Sequence, residues 1–281
     1  TAMKEAVIVS AVRSAVGKGK KDGALASVHP TELSACVMRG ALEAGGVDAA
    51  IVDDIFWGCA MPEASQGLNV ARLSSLRAGI PVEVPSATIN RFCSSGLQTV
   101  ALAAQEIMCG NADVVLAGGV EMMSQVPMSG YHTRLSPELT ESYIGMGFTA
   151  ERVADRWKVT RDDQDRWALA SQQKALAALR ENRFSGQIVP IPTTSVQWDG
   201  ATKTERQSMF ERDELHVRQG GVPADLARPR EAGHPKGRRA APRCPIGIRA
   251  VNISPARACR RMRSSTRRTT VVAVSPLSRL S

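Results

Sequence analysis

The chain has 281 residues, and its 43% hydrophobic content is ample for a packed core in one large domain or two smaller ones. No apolar run is long enough to cross a bilayer and the first residues lack the pattern of a secretory signal, so we expect a cytoplasmic protein without a membrane span. The six cysteines form no C-x-x-C pair and no cluster of zinc-site spacing, so we expect reduced thiols and no bound metal.

The net charge of +9 is confined to the C-terminal part of the chain. Residues 215–281 hold 14 Arg and one Lys against two acidic residues, a net charge of +13. The first 214 residues therefore carry 21 basic and 25 acidic side chains, a net charge of −4. Because the main part of the chain has no excess of basic residues, we expect no nucleic-acid partner.

Short apolar runs alternate with amphipathic stretches through the first 214 residues, as in α/β proteins. Strands are indicated by β-branched runs such as AVIVSAV, and helices by apolar residues at helical spacing with polar starts. The predicted strands are 6–12, 53–60 and 112–119, and the predicted helices are 31–45, 95–109 and 160–182.

Beyond residue 214 the composition changes. This segment has no aromatic residue, holds 7 of the 15 prolines and contains arginine clusters such as RACRRMRSSTRR. One interpretation is a basic arm for nucleic acid or lipid headgroups. The interpretation that we prefer is out-of-frame translation of a GC-rich gene, which predicts a poorly ordered tail.

Residues 89–98 read INRFCSSGLQ, which places Cys93 where a predicted helix begins. A thiol attacks as its thiolate, and the unpaired N–H groups and dipole of a helix N-terminus stabilise negative charge. Gly96 and the two small serines leave room for a ligand, and exposed N–H groups there would form an oxyanion hole. Cys93 is therefore a candidate nucleophile.

The predicted helix after Cys93 carries an apolar face that we expect to anchor it in the core. The members of this face are Leu97, Val100, Ala101, Ala104, Ile107 and Met108. Three other cysteines have no activating neighbour in the sequence and are expected to be small buried hydrophobes. They are Cys36, Cys59 and Cys109.

Four segments, in order along the chain, resemble the thiolase family. The segment INRFCSSGLQTVALAAQEIMCGNADVVLAGGVEMMS is similar to the family's acyl-enzyme segment. EAVIVSAVRSAVGKGKKDGALASVHPTEL and DDIFWGCAMPEASQGLNVARLSSLRAGIP resemble the preceding parts, and YIGMGFTAERVADRWKVTRDDQDRWALASQQKA the part that follows. The resemblance covers residues 4 to about 214, and several motifs in the right order are more specific than any one.

The resemblance implies an α/β, thiolase-like fold. The expected architecture is a layered α-β-α sandwich, one half of the family's α-β-α-β-α arrangement, with a loop-domain insertion. The N-terminal half core then takes residues 1–120, and the rest of that half with the loop domain takes 121–214. The Arg- and Pro-rich tail takes 215–281. Family analogy also implies a homo-dimer or a tetramer.

The resemblance further implies an acyltransferase of fatty acid metabolism and β-oxidation. The expected reaction is thiolytic cleavage of a 3-ketoacyl-CoA, or the reverse Claisen condensation to acetoacetyl-CoA, through an acyl-thioester on Cys93. Coenzyme A and acyl-CoA are then substrates, and no other cofactor is expected. The run NRFCSSGLQ is more similar to the degradative branch. Met146 matches a position that lines the family's acyl pocket; the alternative is a buried core methionine.

The sequence departs from the family pattern after residue 214. The family's second half has an Asn-Glu-Ala-Phe turn, a G-H-P-x-G histidine that activates the nucleophile, and a C-x-G-G-G cysteine that moves the substrate proton. The first and third are absent. GHPKG at 233–237 makes His234 a candidate for the histidine, although the preceding N-x-x-G-G is missing. The remaining histidines, His29, His132 and His216, are interpreted as surface or structural.

These departures predict an impaired enzyme. Without the second half, the first half would expose a broad apolar face that promotes association. We therefore expect an unstable and at best weakly active product. The alternative function is a non-catalytic, thiolase-like protein that binds acyl-CoA or lipid.

Overall fold

The computed structural model describes residues 4–127, 131, 134–199, 202–214 and 269–274. The chain divides into two compact units. Of the described residues, the first unit comprises 4–127, 131, 186–199, 202–214 and 269–274, and the second comprises 134–185. The sequence-based division at residues 120 and 214 stays a prediction.

The first unit is built on a six-stranded sheet in which every hydrogen-bonded neighbour is parallel. Its elements are β1 (Ala6–Ser14), α1 (Pro30–Gly45), β2 (Asp54–Gly58), α2 (Val70–Ala78), β3 (Ser86–Ile89), α3 (Ser95–Cys109), β4 (Val114–Gly119), β5 (Ile188–Val189), β6 (Ile191–Asp199), β7 (Thr202–Phe210) and β8 (Thr269–Val274). The strand order is β3-β2-β4-β8-β1-β5, and β6 pairs with β7 as a separate antiparallel hairpin.

Helices cover both faces of this sheet. Side chains alternate along β2, so that Ile55 and Trp57 join the larger core, which also contains buried residues of α1 and α2. Phe56 packs on the opposite side against a smaller core that contains Ile107 of α3. The indole N–H of Trp57 donates to the Ser34 hydroxyl at 3.1 Å, which ties the buried strand to α1. The predicted α/β fold with α-β-α layers is confirmed.

The predicted elements of the first unit are present with small changes at their ends. The three predicted strands are β1, β2 and β4, and the two predicted helices are α1 and α3. The elements α2, β3 and β5 to β8 were not predicted from the sequence. Several of these are short, and β3 has only four residues, too few for a period of two to be distinguished from chance.

The predicted inward face of α3 is partly wrong. Of its members, Ile107 is buried and Val100 packs against the same core. Leu97 is 75% exposed and Ala101 is also exposed, so these two residues point away from the sheet. The other residues that α3 buries are Ser95, Thr99 and Ala103. Small and hydroxyl side chains face inward because α3 lies very close to the sheet, where the Thr99 hydroxyl donates to the carbonyl of Gly118 at 2.9 Å.

Strand β8 lies within residues 215–281, which were predicted to be a tail. It pairs with β1 on one side and β4 on the other, so it occupies the middle of the sheet. No strand was predicted there. Residues 215–268 and 275–281 lie outside the described residues, and the poor order expected of them stays a prediction.

Residues 213 and 214 tie the end of the predicted main part to the loop after β1. The guanidinium of Arg13 donates to both oxygens of Asp213, at 2.7 and 2.9 Å, and both side chains are largely buried. The N–H of Val16 donates to the same carboxylate at 2.7 Å. Glu214 accepts from the N–H of Lys18 at 2.8 Å. Charged acceptors for backbone N–H groups make this junction strong.

The second unit contains a 3₁₀ segment (Pro137–Tyr143) and two helices, α4 (Met146–Trp157) and α5 (Arg161–Arg180). Helix α5 is the predicted helix 160–182, and it begins with a capping box between Thr160 and Asp163. Among the described helices of the whole chain, none has both the length and the apolar character that a bilayer crossing requires.

Candidate active site

The carboxyl ends of β2, β3 and β4 lie side by side at one edge of the parallel sheet. This edge is where α/β proteins commonly place their ligands. Three connections begin there: residues 59–61 after β2, residues 90–94 after β3, and residues 120–124 after β4. Cys93 belongs to the second of these connections, which we call the cysteine turn (residues 90–94).

Cys93 is exposed and lies directly before Ser94, the N-cap residue of α3. The Ser94 side chain makes no capping hydrogen bond. Within the described part of the chain, no acceptor is found for the backbone N–H groups of Gly96 and Leu97. Open donors at a helix N-terminus favour a negatively charged group beside them. The arrangement therefore suits an oxyanion or another anionic group of a ligand.

The cysteine turn is held by side chains on both sides of Cys93. Phe92 has a φ of 46°, in the left-handed region that a bulky residue rarely adopts. Its N–H donates to Asn90 Oδ1 at 2.9 Å, and its carbonyl accepts from the Ser95 hydroxyl at 2.6 Å. The Ser95 hydroxyl also accepts from the N–H of Arg91 at 2.9 Å. These bonds support an otherwise unfavourable backbone conformation.

Glycines let α3 approach the sheet closely beneath the cysteine turn. A Cβ placed on Gly58, the last residue of β2, would lie 2.8 Å from the Ser95 carbonyl carbon and 2.9 Å from its Cβ. A Cβ on Gly119 would lie 2.8 Å from the carbonyl oxygen of Gly58. Neither position has room for a side chain, so the place of the first turn of α3 depends on these glycines.

A buried polar network lies under the same edge, centred on Glu121. The Glu121 carboxylate accepts from the N–H groups of Ala60 at 2.7 Å and Met61 at 3.2 Å. It also accepts from Gln66 Nε2 at 3.0 Å. Gln66 is fully buried, and its amide oxygen accepts the N–H of Met122. The network thus joins the connection after β2 to the connection after β4.

Cys59 lies beside this network but in a different environment from Cys93. It is buried, and burial together with the Glu121 carboxylate raises the pKa of the Cys59 thiol to about 12. Burial also raises the pKa of Cys36 in α1. Both thiols are therefore protonated near neutral pH and unsuited to attack.

The model of the thiolase N-terminal domain matches residues 6–218, which is more than half of the chain. The chain belongs to the thiolase family. It is 50% identical over 218 residues to a 3-ketoacyl-CoA thiolase of Bacillus subtilis, an alignment that covers 75% of this chain and 55% of the relative. It is 43% identical over 205 residues to an acetyl-CoA acetyltransferase of Pseudomonas aeruginosa, with coverages of 67% and 51%.

A solved thiolase-family structure agrees with the fold. The crystal structure of the Bacillus anthracis acetyl-CoA acetyltransferase superposes with a TM-score of 0.64 at 32% identity, covering 81% of this chain and 59% of that chain. This chain spans about half the length of the curated thiolases that it matches. The recognised family and fold are therefore confirmed for the matched part of the chain.

The remaining expectations from the sequence concern Met146 and the four histidines. Met146 begins α4 in the second unit and is 74% exposed, so the alternative of a buried core methionine is wrong. His234, His132 and His216 lie outside the described residues. His29 is the N-cap of α1, where its Nδ1 accepts from the N–H of Thr31 at 3.3 Å, as expected of a structural histidine.

The remaining cysteine expectations are partly confirmed. Cys36 and Cys59 are buried, as predicted. Cys109 is exposed, so its predicted burial is wrong. It is the last residue of α3 and lies at the C-terminal end of that helix, directly before Gly110. The described residues hold no group of three or more His, Cys, Asp or Glu side chains placed to bind a metal ion.

Several side chains that build this site were not identified from the sequence. Asn90, Ser95 and Glu121 each make hydrogen bonds to backbone groups of another part of the site. The residue types gave a weak signal, since Asn and Ser beside a predicted helix start often bond to backbone N–H groups. A signal for Glu121 was its position among apolar residues directly after a buried strand.

Proposed function

We propose that this chain performs the acyl-transfer chemistry of a thiolase and that Cys93 carries the acyl group as a thioester. The observation that carries the proposal is the placement of Cys93, an exposed thiol in a rigid turn at the N-terminus of α3. The names of the matched relatives, 3-ketoacyl-CoA thiolase and acetyl-CoA acetyltransferase, support a 3-ketoacyl-CoA or an acyl-CoA as the substrate.

In the cleavage direction, the Cys93 thiolate attacks the 3-keto carbon and a C–S bond forms. The resulting oxyanion collapses and the bond between C2 and C3 breaks. Its electron pair stays on the acetyl-CoA fragment, which takes up a proton. The thiol of free coenzyme A then attacks the thioester, which releases the shortened acyl-CoA and returns the Cys93 thiol. The condensation of two acyl-CoA molecules is the reverse sequence.

The geometry of the cysteine turn supports the first of these steps. The open N–H groups of Gly96 and Leu97 provide donors for negative charge at the start of α3. The fixed conformation of Phe92 limits the positions that the Cys93 thiol can take. A preorganised nucleophile and fixed donors lower the barrier without rearrangement during the reaction.

We further propose that the isolated 281-residue chain is impaired, so that Cys93 accepts an acyl group but turnover is slow. The support is the sequence after residue 214, which lacks the Asn-Glu-Ala-Phe and C-x-G-G-G motifs, and in which only His234 matches the histidine motif. General acid and base groups contribute about 100-fold to 10,000-fold to such reactions. In the same proposal Met146 lines the acyl pocket, and the complete enzyme forms a homo-dimer or tetramer. The cytoplasmic location expected from the sequence stays a prediction.

Competitive alkylation tests the proposal against the alternative of a non-catalytic acyl-CoA or lipid binder. Among the described cysteines, Cys93 and Cys109 are exposed. We expect iodoacetamide to alkylate both, and acetoacetyl-CoA to slow alkylation of Cys93 but not of Cys109. Peptide mass spectrometry follows the two sites in one sample, so that Cys109 is the internal control. A Cys93 thiol that stays inert, or whose alkylation acetoacetyl-CoA leaves unchanged, would contradict the proposal. Protection of Cys93 with no acetyl group on its peptide would favour the alternative.

A further inference from the structure

A continuous chain of hydrogen bonds leads from the start of α3 to the carboxylate of Glu121. The N–H of Ser94 donates to the carbonyl of Arg91 at 3.1 Å. The same peptide unit carries the N–H of Phe92, which donates to Asn90 Oδ1 at 2.9 Å. The cysteine turn is thus closed on the side chain of Asn90.

The second half of this series of hydrogen bonds crosses to the connection after β2. Asn90 Nδ2 donates to the carbonyl of Ala60 at 3.2 Å. That carbonyl belongs to the peptide unit whose N–H, on Met61, donates to Glu121 Oε1 at 3.2 Å. Every donor in this series of hydrogen bonds therefore points toward the Glu121 carboxylate. Hydrogen bonds aligned in one direction polarise one another, and an anionic acceptor at the end strengthens them.

The two backbone groups that Asn90 contacts require an amide side chain at this position. The backbone N–H of Phe92 needs an acceptor and the carbonyl of Ala60 needs a donor. An amide side chain offers both, and this requirement fixes which of its atoms is oxygen. A carboxylate at the same position would accept from Phe92 but would repel the carbonyl of Ala60.

We propose that Asn90 is a positioning residue for Cys93. It links the cysteine turn to the network around Glu121 through the peptide unit of Ala60 and Met61, and so sets the direction from which the thiol meets an acyl carbonyl. The inference rests on the proposed function of Cys93. It assigns to Asn90 no contact with the substrate.

The test separates orientation from simple exposure of the thiol. Acetyl-CoA transfers its acetyl group to Cys93 only when the thiol and the thioester carbonyl are aligned, whereas iodoacetamide reacts with any accessible thiol. In the full chain with Asn90→Ala, we expect acetylation of Cys93 to fall by about tenfold or more, because small misplacements of reacting groups are costly. Alkylation of Cys93 relative to Cys109 should change by less than about twofold, since the thiol stays exposed.

Hydrogen exchange of the backbone tests the linkage without any transfer reaction. Asn90→Ala should speed exchange both in residues 90–94 and at Met61. Asn90→Asp, which keeps an acceptor for the N–H of Phe92, should speed exchange mainly at Met61. Asn69→Ala is the matched control. Asn69 caps α2 and bonds to Ser86 in β3 but has no bond to the cysteine turn, so it should leave both segments and the acetylation rate unchanged.

The outcomes are distinguishable. If wild-type Cys93 is acetylated and Asn90→Ala acetylates equally fast, the positioning role is overturned and the proposed function stands. If wild-type Cys93 is never acetylated, the proposed function fails. Hydrogen exchange then tests whether Asn90 links the cysteine turn to the network around Glu121. Faster exchange at Met61 in Asn90→Ala then supports the linkage, and unchanged exchange there overturns it.

Discussion

At the scale of single residues, Cys59 and Cys93 show how position decides the chemistry of a thiol. Both follow a strand at the carboxyl edge of the sheet. Cys59 is buried beside the Glu121 carboxylate, whereas Cys93 is exposed beside open N–H groups at the start of α3. The first environment disfavours a thiolate, and the second offers backbone donors to a bound ligand. Residue type alone would not have separated them.

The raised pKa of Cys59 predicts a stability that depends on pH. Its folded pKa of about 12 exceeds the ordinary thiol value of 9.0, so the unfolded chain loses this proton first as the pH rises. The contribution of the protonated thiol is complete below pH 9.0 and is lost between pH 9.0 and about 12. Over that range, the loss of this contribution lowers the free energy of unfolding by about 1.4 kcal/mol per pH unit.

Comparison of wild type with Cys59→Ala isolates this effect, because other groups titrate equally in both. Urea unfolding at several pH values should give a steeper decline for wild type above pH 9.0. Cys93→Ala, which removes an exposed thiol, is the control and should follow the wild-type slope. Parallel slopes for wild type and Cys59→Ala would contradict the assigned environment of Cys59.

At this scale the sequence predicted the nucleophile candidate but not the residues that hold it. Cys93 followed from a recognisable motif and from its place at a helix start. Asn90 and Glu121 act through partners 30 and 60 residues away in the sequence, at Ala60 and Met61. Such partners become visible only when strands β2, β3 and β4 are aligned, since a local pattern does not specify long-range hydrogen bonds.

At the scale of elements, α3 was predicted in position but only partly in orientation, since Ile107 faces the core and Leu97 does not. Apolar periodicity indicated Leu97 and Ala101 as inward residues, yet the inward residues include Ser95 and Thr99. Periodicity identifies a face with large apolar side chains. It does not identify which face meets the sheet when close approach demands small residues there, and the outward apolar face of α3 remains available for association.

The close approach of α3 to β2 predicts that Gly58→Ala is destabilising. The added methyl group would lie 2.8 Å from backbone of Ser95, and backbone cannot move aside as a flexible side chain can. We expect a loss of about 1–3 kcal/mol in the free energy of unfolding, measured by urea denaturation.

Gly96→Ala is the matched control for Gly58→Ala. A Cβ on Gly96 has no atom within 4 Å, and alanine favours a helix more than glycine does. We expect its stability to equal or exceed that of wild type. Equal stability of the Gly58→Ala and Gly96→Ala variants would show that α3 is not packed as closely as described.

At the scale of the whole molecule, the sheet is completed by a strand from far along the chain. Neither β1 nor β4 pairs with the other; each pairs with β8 instead. The sequence predicted the layers of the fold because they depend on β1, β2, β4, α1 and α3. It did not predict β8, because the six-residue run TTVVAV within an arginine-rich segment gives no evidence of its partners.

The central place of β8 predicts that the sheet depends on it. Truncation after residue 268 would leave the facing edges of β1 and β4 without their shared neighbour. We expect this truncated chain to lose its cooperative thermal unfolding transition, followed by circular dichroism. Truncation after residue 274 keeps β8 and should retain the transition. If both truncated chains unfold as the full chain does, β8 is not an integral strand.

In the proposed function, Cys93 accepts an acyl group from a 3-ketoacyl-CoA. The most direct measurement is peptide mass spectrometry of the full chain after acid quenching of its reaction with acetoacetyl-CoA, with Cys93→Ser in parallel. We expect one acetyl group on the peptide that contains Cys93 and none on that peptide in the variant. An unmodified peptide in the wild type, or acetylation of Cys109 instead, would overturn the proposed function.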